Sequence, residues 1–261
     1  MIRVGVIGAA GRMGQTVIEA VQGAPDMVVS CVVDPQVATL AAEEGVVAAA
    51  SMAELEAGVA DVVVDFTVAE AARENLAVAL GLGCHVVSGT TGLSDADLAV
   101  LEAASEASER SVLVAANFAL GAVLAIRFAE TAARYFDGVE VIELHHDRKV
   151  DAPSGTSLST ARRIAAARDE AGLGECHDPT TTVVAEGARG ANGPGGVRIH
   201  SVRLPGLVAH EEIILASPGE ALTIRHDRWD RTSFMAGVLL AVRTASTRTG
   251  LTVGLDALLD D

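Results

Sequence analysis

The chain contains a single lysine, Lys149, which lies three positions after two adjacent histidines, His145 and His146. The other 18 of the 19 lysine and arginine side chains are arginine, so a need for positive charge alone does not explain this lysine. An ammonium group can give up a proton, whereas a guanidinium group stays charged. Histidine exchanges protons near neutral pH. The segment therefore indicates proton-transfer chemistry, and the alternative is a surface lysine without a function.

A helix start follows this segment and offers a site for an anion. Ser154, Gly155 and Thr156 are predicted to open a helix over residues 154–171, with Ser154 or an immediate neighbour as the N-cap. The free N–H groups of such a start attract carboxylates, and Pro153 fixes the approach of the backbone. Cationic donors beside it suit a small dianion. Metal binding by the two histidines is the competing hypothesis, but adjacent histidines rarely bind one ion and no third ligand is evident.

A glycine-rich turn near the N-terminus predicts a phosphate-binding loop. Gly8, Gly11 and Gly14 follow a predicted strand and open a predicted helix, which is the setting of a dinucleotide-binding turn. Glycines let the backbone approach a pyrophosphate, and the helix N-terminus supplies N–H groups. The spacing G-x-x-G-x-x-G departs from the usual G-x-G-x-x-G, so a turn that only permits tight packing is the alternative.

Asp34 is predicted to select the cofactor. It ends the second predicted strand, at the spacing of roughly 20 residues after the glycine loop that dinucleotide sites show. A carboxylate there can accept hydrogen bonds from the adenosine ribose hydroxyls. The next residues are Pro35 and Gln36, so no arginine directly follows Asp34 to bind a 2′-phosphate. Arg12 in the loop could still reach such a group. We therefore expect NADH to be used and NADPH to be tolerated.

Two later segments are expected at the same edge of the predicted sheet. Gly89–Gly92 follows the fourth predicted strand, and Ala115–Phe118 follows the fifth. Ligands of open α/β sheets bind at the carboxyl ends of the strands, so both segments are expected near the cofactor. An ordinary turn is the alternative explanation of Gly89–Gly92.

Alternating strand and helix signals position these residues. Short β-branched runs, typical of strands buried on both faces, occur at 3–7, 27–33, 62–65, 85–88 and 112–115. Helices are predicted between them at 12–22, 52–57, 69–82 and 95–107. This repetition predicts an α/β domain over residues 1–117, with a Rossmann-type, doubly wound parallel sheet.

The pattern changes after residue 117. A helix is predicted over 121–136, with Phe128, Tyr135 and Phe136 toward a core, and a long loop over 172–196. Besides a strand at 139–146, alternation of apolar and polar residues predicts open antiparallel strands at 197–203, 208–216 and 221–227. We therefore expect a second, α+β domain on an open mixed sheet over 118–227. Residues 228–261, with a helix at 232–247, are expected to complete the first domain.

Composition argues against several classes of protein. The net charge of −16 disfavours nucleic acid and anionic membrane surfaces as partners. No apolar run approaches the ~20 residues of a spanning helix, and the first residues lack the features of a signal peptide. The cysteines, Cys31, Cys84 and Cys176, match no zinc motif and are expected to be reduced thiols. These features favour a cytoplasmic protein without a metal site.

The run Glu143–Thr156, ELHHDRKVDAPSGT, resembles the signature of the 4-hydroxy-tetrahydrodipicolinate reductase family, formerly called dihydrodipicolinate reductases. The similarity extends over essentially the whole chain and is greatest to the actinobacterial branch. The other stretches that carry it are Val4–Gly14, Val64–Thr67, Gly89–Gly92, Ala115–Phe118 and Arg231–Phe234.

The resemblance implies an activity in diaminopimelate and L-lysine biosynthesis. It implies NADH- or NADPH-dependent reduction of 4-hydroxy-tetrahydrodipicolinate, a small cyclic dicarboxylate, with loss of water. It also implies a homotetramer in which the sheet of the second domain forms the interface. One departure leaves the preference between NADH and NADPH open, because some relatives carry a lysine where this chain has Ala10 or Arg12.

The resemblance also implies roles for single residues. His145 would donate and accept a proton, and Lys149 would donate one. The substrate contacts would be His146, Ser154, Gly155 and Thr156. The cofactor contacts would be Gly8, Ala9, Ala10, Gly11, Arg12, Met13, Asp34, Gly89, Thr90, Thr91, Ala115, Ala116, Asn117 and Phe118.

Two rival hypotheses share part of this pattern. Another two-domain NAD(P) oxidoreductase, such as a homoserine-type dehydrogenase, would share the first domain but lack the stretch 143–156. A cofactor-binding regulator without turnover would need the dinucleotide site alone. Under that second hypothesis the stretch 143–156 would have no purpose.

Overall fold

The computed structural model describes residues 1–39 and 44–259, which form two compact units. Unit 1 comprises Met1–Leu120 and Arg231–Asp261, and unit 2 comprises Gly121–Asp230. Each boundary lies a few residues after the one expected from the sequence. Among the described helices, none is long and apolar enough to cross a membrane.

The described residues form twelve strands and six α-helices. The strands are β1 Ile2–Ile7, β2 Met27–Val33, β3 Val47–Ala49, β4 Val62–Asp65, β5 His85–Ser88, β6 Ser111–Val114, β7 Gly138–His145, β8 Ala191–Asn192, β9 Arg198–Arg203, β10 Ala209–Ser217, β11 Glu220–Arg228 and β12 Gly250–Val253. The helices are α1 Arg12–Gln22, α2 Ala69–Gly81, α3 Asp95–Ser108, α4 Leu120–Ala133, α5 Gly155–Glu170 and α6 Met235–Ala245.

Unit 1 is built on a seven-stranded sheet in the order β12-β6-β5-β4-β1-β2-β3. Every strand pair in it is parallel, which confirms the predicted Rossmann-type sheet. Two edge strands, β3 and β12, were not predicted, because they are short and lack a β-branched run. The helix predicted at 52–57 is wrong, since only a 3-10 turn over Met52–Glu54 forms there. The strand order reverses between β1 and β4, which is where sheets of this type bind ligands.

The C-terminal segment packs within unit 1. In α6, a side chain at Gly237 would bring Cβ to 2.1 Å from the carbonyl oxygen of Phe118, so glycine permits close contact. The Ser111 hydroxyl donates to the carbonyl oxygen of Ala245 at 2.7 Å, and Arg243 pairs with Asp26 at 2.8 Å. Helix α6 therefore packs on the seven-stranded sheet of unit 1, most of whose strands come from the first 120 residues.

Unit 2 is built on a five-stranded mixed sheet in the order β11-β10-β7-β9-β8. Strands β10 and β11 pair antiparallel as predicted. Strand β9 runs antiparallel to the two-residue strand β8 but parallel to β7, so the antiparallel prediction for residues 197–203 is wrong for the pairing with β7. The physical reason is the long connection through α5, which returns the chain to the start of β7 before β9 begins.

Helices α4 and α5 cover one face of this sheet. The apolar side chains between the helices and the sheet include Ala129, Ala133, Val139, Val141, Ala161, Ile164, Ile213 and Leu215. The prediction that Phe128 and Tyr135 face the core is wrong, because they are 58% and 78% exposed. Phe128 lies outside the buried stripe of α4, and the helix ends before Tyr135. The buried stripe consists of Val123, Ala125, Ile126, Ala129 and Ala133. Phe136 is partly buried against this core.

Candidate active site

The glycine loop of unit 1 is shaped by close backbone contacts. Gly8 has φ +80°, which favours glycine, and its N–H donates to the carbonyl oxygen of Val33 at 2.8 Å. A side chain at Gly14 would place Cβ 2.2 Å from the carbonyl oxygen of Gly8. The loop therefore folds against the first turn of α1 only when both positions are glycine.

The start of α1 leaves backbone donors available. Gly11 is the N-cap residue, and no side chain caps this helix start within the part of the chain that the structure describes. The Gln15 side chain instead donates to the carbonyl oxygen of Ala9 at 2.6 Å and holds the loop in place. Arg12 is exposed and Met13 is half-buried. An uncapped helix start of this kind suits a phosphate group.

Asp34 binds the glycine loop through its carboxylate. Its two oxygens accept the N–H groups of Ala10 at 3.0 Å and Gln36 at 2.8 Å. Each carboxylate oxygen has a further lone pair. Asp34 can thus hold the loop and still accept a hydrogen bond from a ligand hydroxyl. The sequence did not indicate its role in holding the loop.

A buried carboxylate, Asp65, organises the ends of β4 and β5. It is fully buried and accepts three hydroxyl hydrogen bonds, each at 2.7 Å, from Thr67, Ser88 and Thr90. The Thr90 hydroxyl in turn accepts the N–H of Thr67 at 3.0 Å. Asp65 was not among the predicted site residues, although a carboxylate directly after three valines is a signal that could have indicated it.

The remaining predicted cofactor residues lie at the same carboxyl edge. A side chain at Gly89 would overlap the ring of Phe66, which contacts Phe118 edge-on with ring centroids 5.7 Å apart. Thr91 and Ala116 are exposed, and Asn117 accepts the N–H of Ala119 at 3.0 Å. The edge is therefore lined by backbone, small side chains and two aromatic rings.

In unit 2, Glu143 and His145 lie on one face at the end of β7. Glu143 Oε2 forms a hydrogen bond with His145 Nδ1, and Arg203 donates to both carboxylate oxygens at 2.8 and 2.6 Å. Glu143 is fully buried. Neither Glu143 nor Arg203 was among the predicted site residues.

Glu143 is held ionised by its partners. Burial opposes its ionisation, but the hydrogen bonds from His145 and Arg203 outweigh burial and hold the pKa of this carboxyl at about 2. An ionised carboxylate accepts the Nδ1–H of the imidazole, which leaves Nε2 as the nitrogen that exchanges a proton with a ligand.

Lys149 lies in the loop after β7. Its ammonium donates to both oxygens of Asp151, at 2.8 and 2.9 Å, and this pairing lowers the pKa of Asp151. The lysine side chain is 21% exposed. Asp151 is a further residue that the sequence did not indicate, and it holds the ammonium within the loop that leads to α5.

The prediction of Ser154 as N-cap of α5 is confirmed. Its hydroxyl accepts the N–H of Ser157 at 3.1 Å, and its own N–H donates to Glu143 Oε1 at 3.3 Å. Because Ser154 is buried and engaged in this way, Gly155 and Thr156 are the exposed residues of the helix start. Glu143 thus links the helix start to the imidazole of His145.

His146 lies directly after the end of β7. It is half-buried, and its Nδ1 atom has no hydrogen-bond partner among the described residues. Over the described ranges there is no group of three His, Cys, Asp or Glu side chains that could hold a metal ion. The cysteines are free thiols there, and burial raises the pKa of Cys31 to about 11.

Two models of one protein family match nearly the whole chain. The model described as the N-terminus of dihydrodipicolinate reductase matches residues 2–118, and the model of its C-terminus matches residues 121–259. The chain belongs to the dihydrodipicolinate reductase family. The resemblance carried by Glu143–Thr156 is thereby confirmed.

Relatives in the dihydrodipicolinate reductase family are similar over their full length. The chain is 52% identical over 260 residues to the 4-hydroxy-tetrahydrodipicolinate reductase of Beutenbergia cavernae, with 99% of each chain covered. It is 50% identical over the same length to the enzyme so named from Nocardia farcinica. Both relatives come from actinobacteria, as predicted.

A solved structure of the family supports the same fold. The dipicolinate-bound dihydrodipicolinate reductase from Paenisporosarcina sp. TG-14 is 37% identical, with a TM-score of 0.90. The match covers 98% of this chain and 99% of the other. Membership in this reductase family favours an enzyme over the regulator without turnover. It also favours this family over the rival dehydrogenase, which would lack the stretch 143–156.

Proposed function

We propose that the protein reduces (2S,4S)-4-hydroxy-2,3,4,5-tetrahydrodipicolinate to 2,3,4,5-tetrahydrodipicolinate, with loss of water, in diaminopimelate and L-lysine biosynthesis. The observation that carries this proposal is the arrangement at the end of β7. There a buried carboxylate orients His145, and Lys149 lies in the loop that leads to the exposed helix start at Gly155. This arrangement combines proton donors with a carboxylate site.

Unit 1 fits a nicotinamide dinucleotide. Gly8 and Gly14 leave a backbone cradle that a Cβ atom would fill, and the uncapped start of α1 adjoins it. When bound, the dinucleotide supplies the hydride. The residues that would hold it are Gly8, Ala9, Ala10, Gly11, Arg12, Met13, Asp34, Gly89, Thr90, Thr91, Ala115, Ala116, Asn117 and Phe118.

Binding of the dicarboxylate is assigned to unit 2. Gly155 and Thr156 would bind one carboxylate through backbone N–H groups and the Thr156 hydroxyl, while Ser154 holds the turn as N-cap. His146 would contact the substrate, since its Nδ1 atom is otherwise without a partner among the described residues. Cationic side chains and backbone N–H groups of the site would thus face a substrate of opposite charge.

Proton transfer is assigned to His145 and Lys149. A substrate that becomes electron-rich on hydride addition must be protonated, and a positioned acid accelerates this step. Glu143 holds the imidazole through Nδ1 and so directs Nε2 outward as the donor. Lys149 would have to leave Asp151 or share its protons with the ligand to donate.

We further propose that NADH is used and NADPH is tolerated. Asp34 supports NADH, because its carboxylate keeps lone pairs for ribose hydroxyls after binding Ala10 and Gln36. Arg12 is exposed in the loop and supports tolerance of a 2′-phosphate. Residues 1–117 with 228–261 would form the cofactor domain, and residues 118–227 the substrate domain.

We also propose a cytoplasmic homotetramer without nucleic-acid or membrane partners. The net charge of −16 supports the exclusion of anionic partners. The sheet of unit 2 supports assembly, because Ile142, Leu144 and Ile214 point away from the face that α4 and α5 cover and stay only half-buried. Sedimentation velocity of the full chain would detect the tetramer, and a monomer at micromolar concentration would contradict it.

The activity is tested by following NADH absorbance when the product of dihydrodipicolinate synthase is supplied. We expect absorbance to fall only when protein and that product are both present. Homoserine-type substrates serve as the control for the rival oxidoreductase. Binding of NADH without any consumption would contradict the proposal and favour a regulator.

A further inference from the structure

A row of polar side chains crosses the middle of the sheet in unit 2. Ser201 of β9 pairs with Glu143 of β7, Glu143 pairs with Glu211 of β10, and Glu211 pairs with His226 of β11. Directly opposed residues point to the same face of a sheet. The adjacent row on that face is apolar and consists of Ile199, Val141, Ile213 and Ile224. The polar row therefore separates the core from the end of β7.

Glu211 lies beneath α5 in this row. The Thr160 hydroxyl of α5 donates to its Oε2 at 2.9 Å. Its Oε1 is buried and, in the parts of the chain described, has no hydrogen-bond partner. An ionised carboxylate with an unpartnered buried oxygen is unfavourable, whereas a protonated carboxyl carries no charge that needs a donor.

Glu143 and Glu211 are opposed neighbours with unlike partners. Glu143 binds the imidazole of His145 and both ends of the Arg203 guanidinium, so it is the member that stays ionised. Two carboxylates this close do not both ionise readily. Burial raises the pKa of Glu211, and the charge of Glu143 raises it further, although the hydroxyls of Ser157 and Thr160 oppose the shift.

The other groups around Glu211 do not neutralise an ionised carboxylate. On β11, burial lowers the pKa of the opposed His226, and on α5 the neighbours are the Ser157 and Thr160 hydroxyls. On β7, the charge of His145 favours ionisation of Glu211, but Glu143 already holds this imidazole. These surroundings therefore favour the protonated form of Glu211.

We propose that Glu211 is a positioning residue that remains protonated while the site binds its dicarboxylate, so that Glu143 is the single negative charge beneath His145. The proposal rests on the proposed function, because it concerns the same substrate site. Ionised Glu211 would compete with Glu143 for the imidazole and add a negative charge close to a bound dianion. Affinity for dicarboxylates would then fall as the pH rises.

The test compares Glu211→Gln with the wild type and with Glu212→Gln. Glutamine resembles the protonated carboxyl but cannot ionise. Glu212 is the matched control, because it is the next residue of β10, faces the opposite side and pairs with Arg225. Calorimetry of the full chain with pyridine-2,6-dicarboxylate at pH 7 gives the affinity without requiring turnover.

We expect all three proteins to bind with similar affinity at pH 7. If Glu211 were ionised in the wild type, Glu211→Gln would bind about tenfold more tightly than wild type and Glu212→Gln, which is the effect of removing one charge at a short, partly screened distance. Tighter binding by Glu211→Gln alone would overturn the proposal. So would a Glu211→Gln protein that fails to fold, since the neutral side chain should be at least as stable.

A second measurement uses urea unfolding at pH 5 and pH 8. A carboxyl with a raised folded pKa contributes stability at low pH that is lost as the pH rises, so Glu211→Gln should gain on wild type between these values. A gap that is constant with pH would contradict a protonated Glu211. A different result would contradict the proposed function: the wild-type protein would bind the dicarboxylate but consume no NADH when the synthase product is supplied.

Discussion

The carboxyl edge of the parallel sheet in unit 1 and the end of β7 in unit 2 are built by different means. In unit 1, Gly8 and Gly14 let backbone segments approach closely, and the carboxylate of Asp34 is bound to N–H groups. In unit 2, Glu143 binds the imidazole of His145 and the guanidinium of Arg203, and Lys149 is paired with Asp151. The first region depends on space, and the second depends on the kind and position of charge.

This difference predicts which substitutions matter in each region. Where two backbone segments are in close contact at a glycine, any added side chain lowers the stability of the fold, whether it is polar or apolar. Where charges are paired, a side chain of the same charge can still fail when proton release or donor geometry differs. Four changes test whether the two regions obey these separate rules.

Lys149→Arg is expected to have the largest effect. It retains the charge and the pairing with Asp151, yet a guanidinium cannot release a proton, so turnover should fall by roughly 10²–10⁴-fold. The measurement is kcat at saturating substrate and NADH. Arg148→Lys, at the exposed neighbouring position, is the matched control and should change kcat by less than about twofold. Near-wild-type turnover of Lys149→Arg would leave the lysine as a carboxylate anchor only.

Gly14→Ala tests the dependence of unit 1 on space. The added Cβ would lie 2.2 Å from the carbonyl oxygen of Gly8, a backbone atom that cannot move aside cheaply. We expect a loss of about 3 kcal/mol in the free energy of unfolding, together with weaker NADH binding. Gly81→Ala is the control, because no atom lies within 4 Å of its Cβ position. That variant should be unchanged or more stable by up to about 1 kcal/mol.

Acid unfolding tests the charge network of unit 2. The pKa of Glu143 falls from 4.5 to about 2 on folding, so its contribution is present above 4.5 and is lost as the pH falls toward 2. After allowance for screening, this contribution is about 2 kcal/mol. The stability difference between wild type and Glu143→Gln should therefore shrink between pH 5 and pH 3 in urea titrations. A difference that is constant over this range would contradict the ionised pair.

Asp34→Ala is expected to have the smallest effect of the four. Loss of the carboxylate should raise KM for NADH by about tenfold, with a smaller change for NADPH, because the ribose contact differs between them. Steady-state KM values for both cofactors provide the measurement. A strong preference of the wild-type protein for NADPH would contradict the role given to Asp34.

The two regions also differ in how far the sequence could predict them. The glycine loop, Asp34 and five strands of unit 1 were evident, because their signals are local runs of glycine or β-branched residues. Strands β3 and β12 were not, since short edge strands need no apolar run. The prediction that Phe128 and Tyr135 face the core was wrong for a related reason, because aromatic side chains are buried only on average.

In unit 2 the sequence indicated His145, Lys149 and the N-cap Ser154, whose partners are close along the chain. It did not indicate Arg203, which lies 60 positions from Glu143. One arginine among 18 has no local feature that marks it as the partner of a buried carboxylate. The pairing arises from the parallel register of β7 and β9, which only the folded chain defines.

The single lysine has a practical consequence for handling the protein. Reagents that couple to primary amines find two groups in the sequence, the N-terminus and Lys149. Met1 is 83% exposed, whereas the Lys149 ammonium is mostly covered and paired with Asp151. Mild coupling would therefore attach the chain to a sensor surface at its N-terminus in one orientation. Exhaustive coupling would modify one further side chain, the ammonium beside the proposed substrate site.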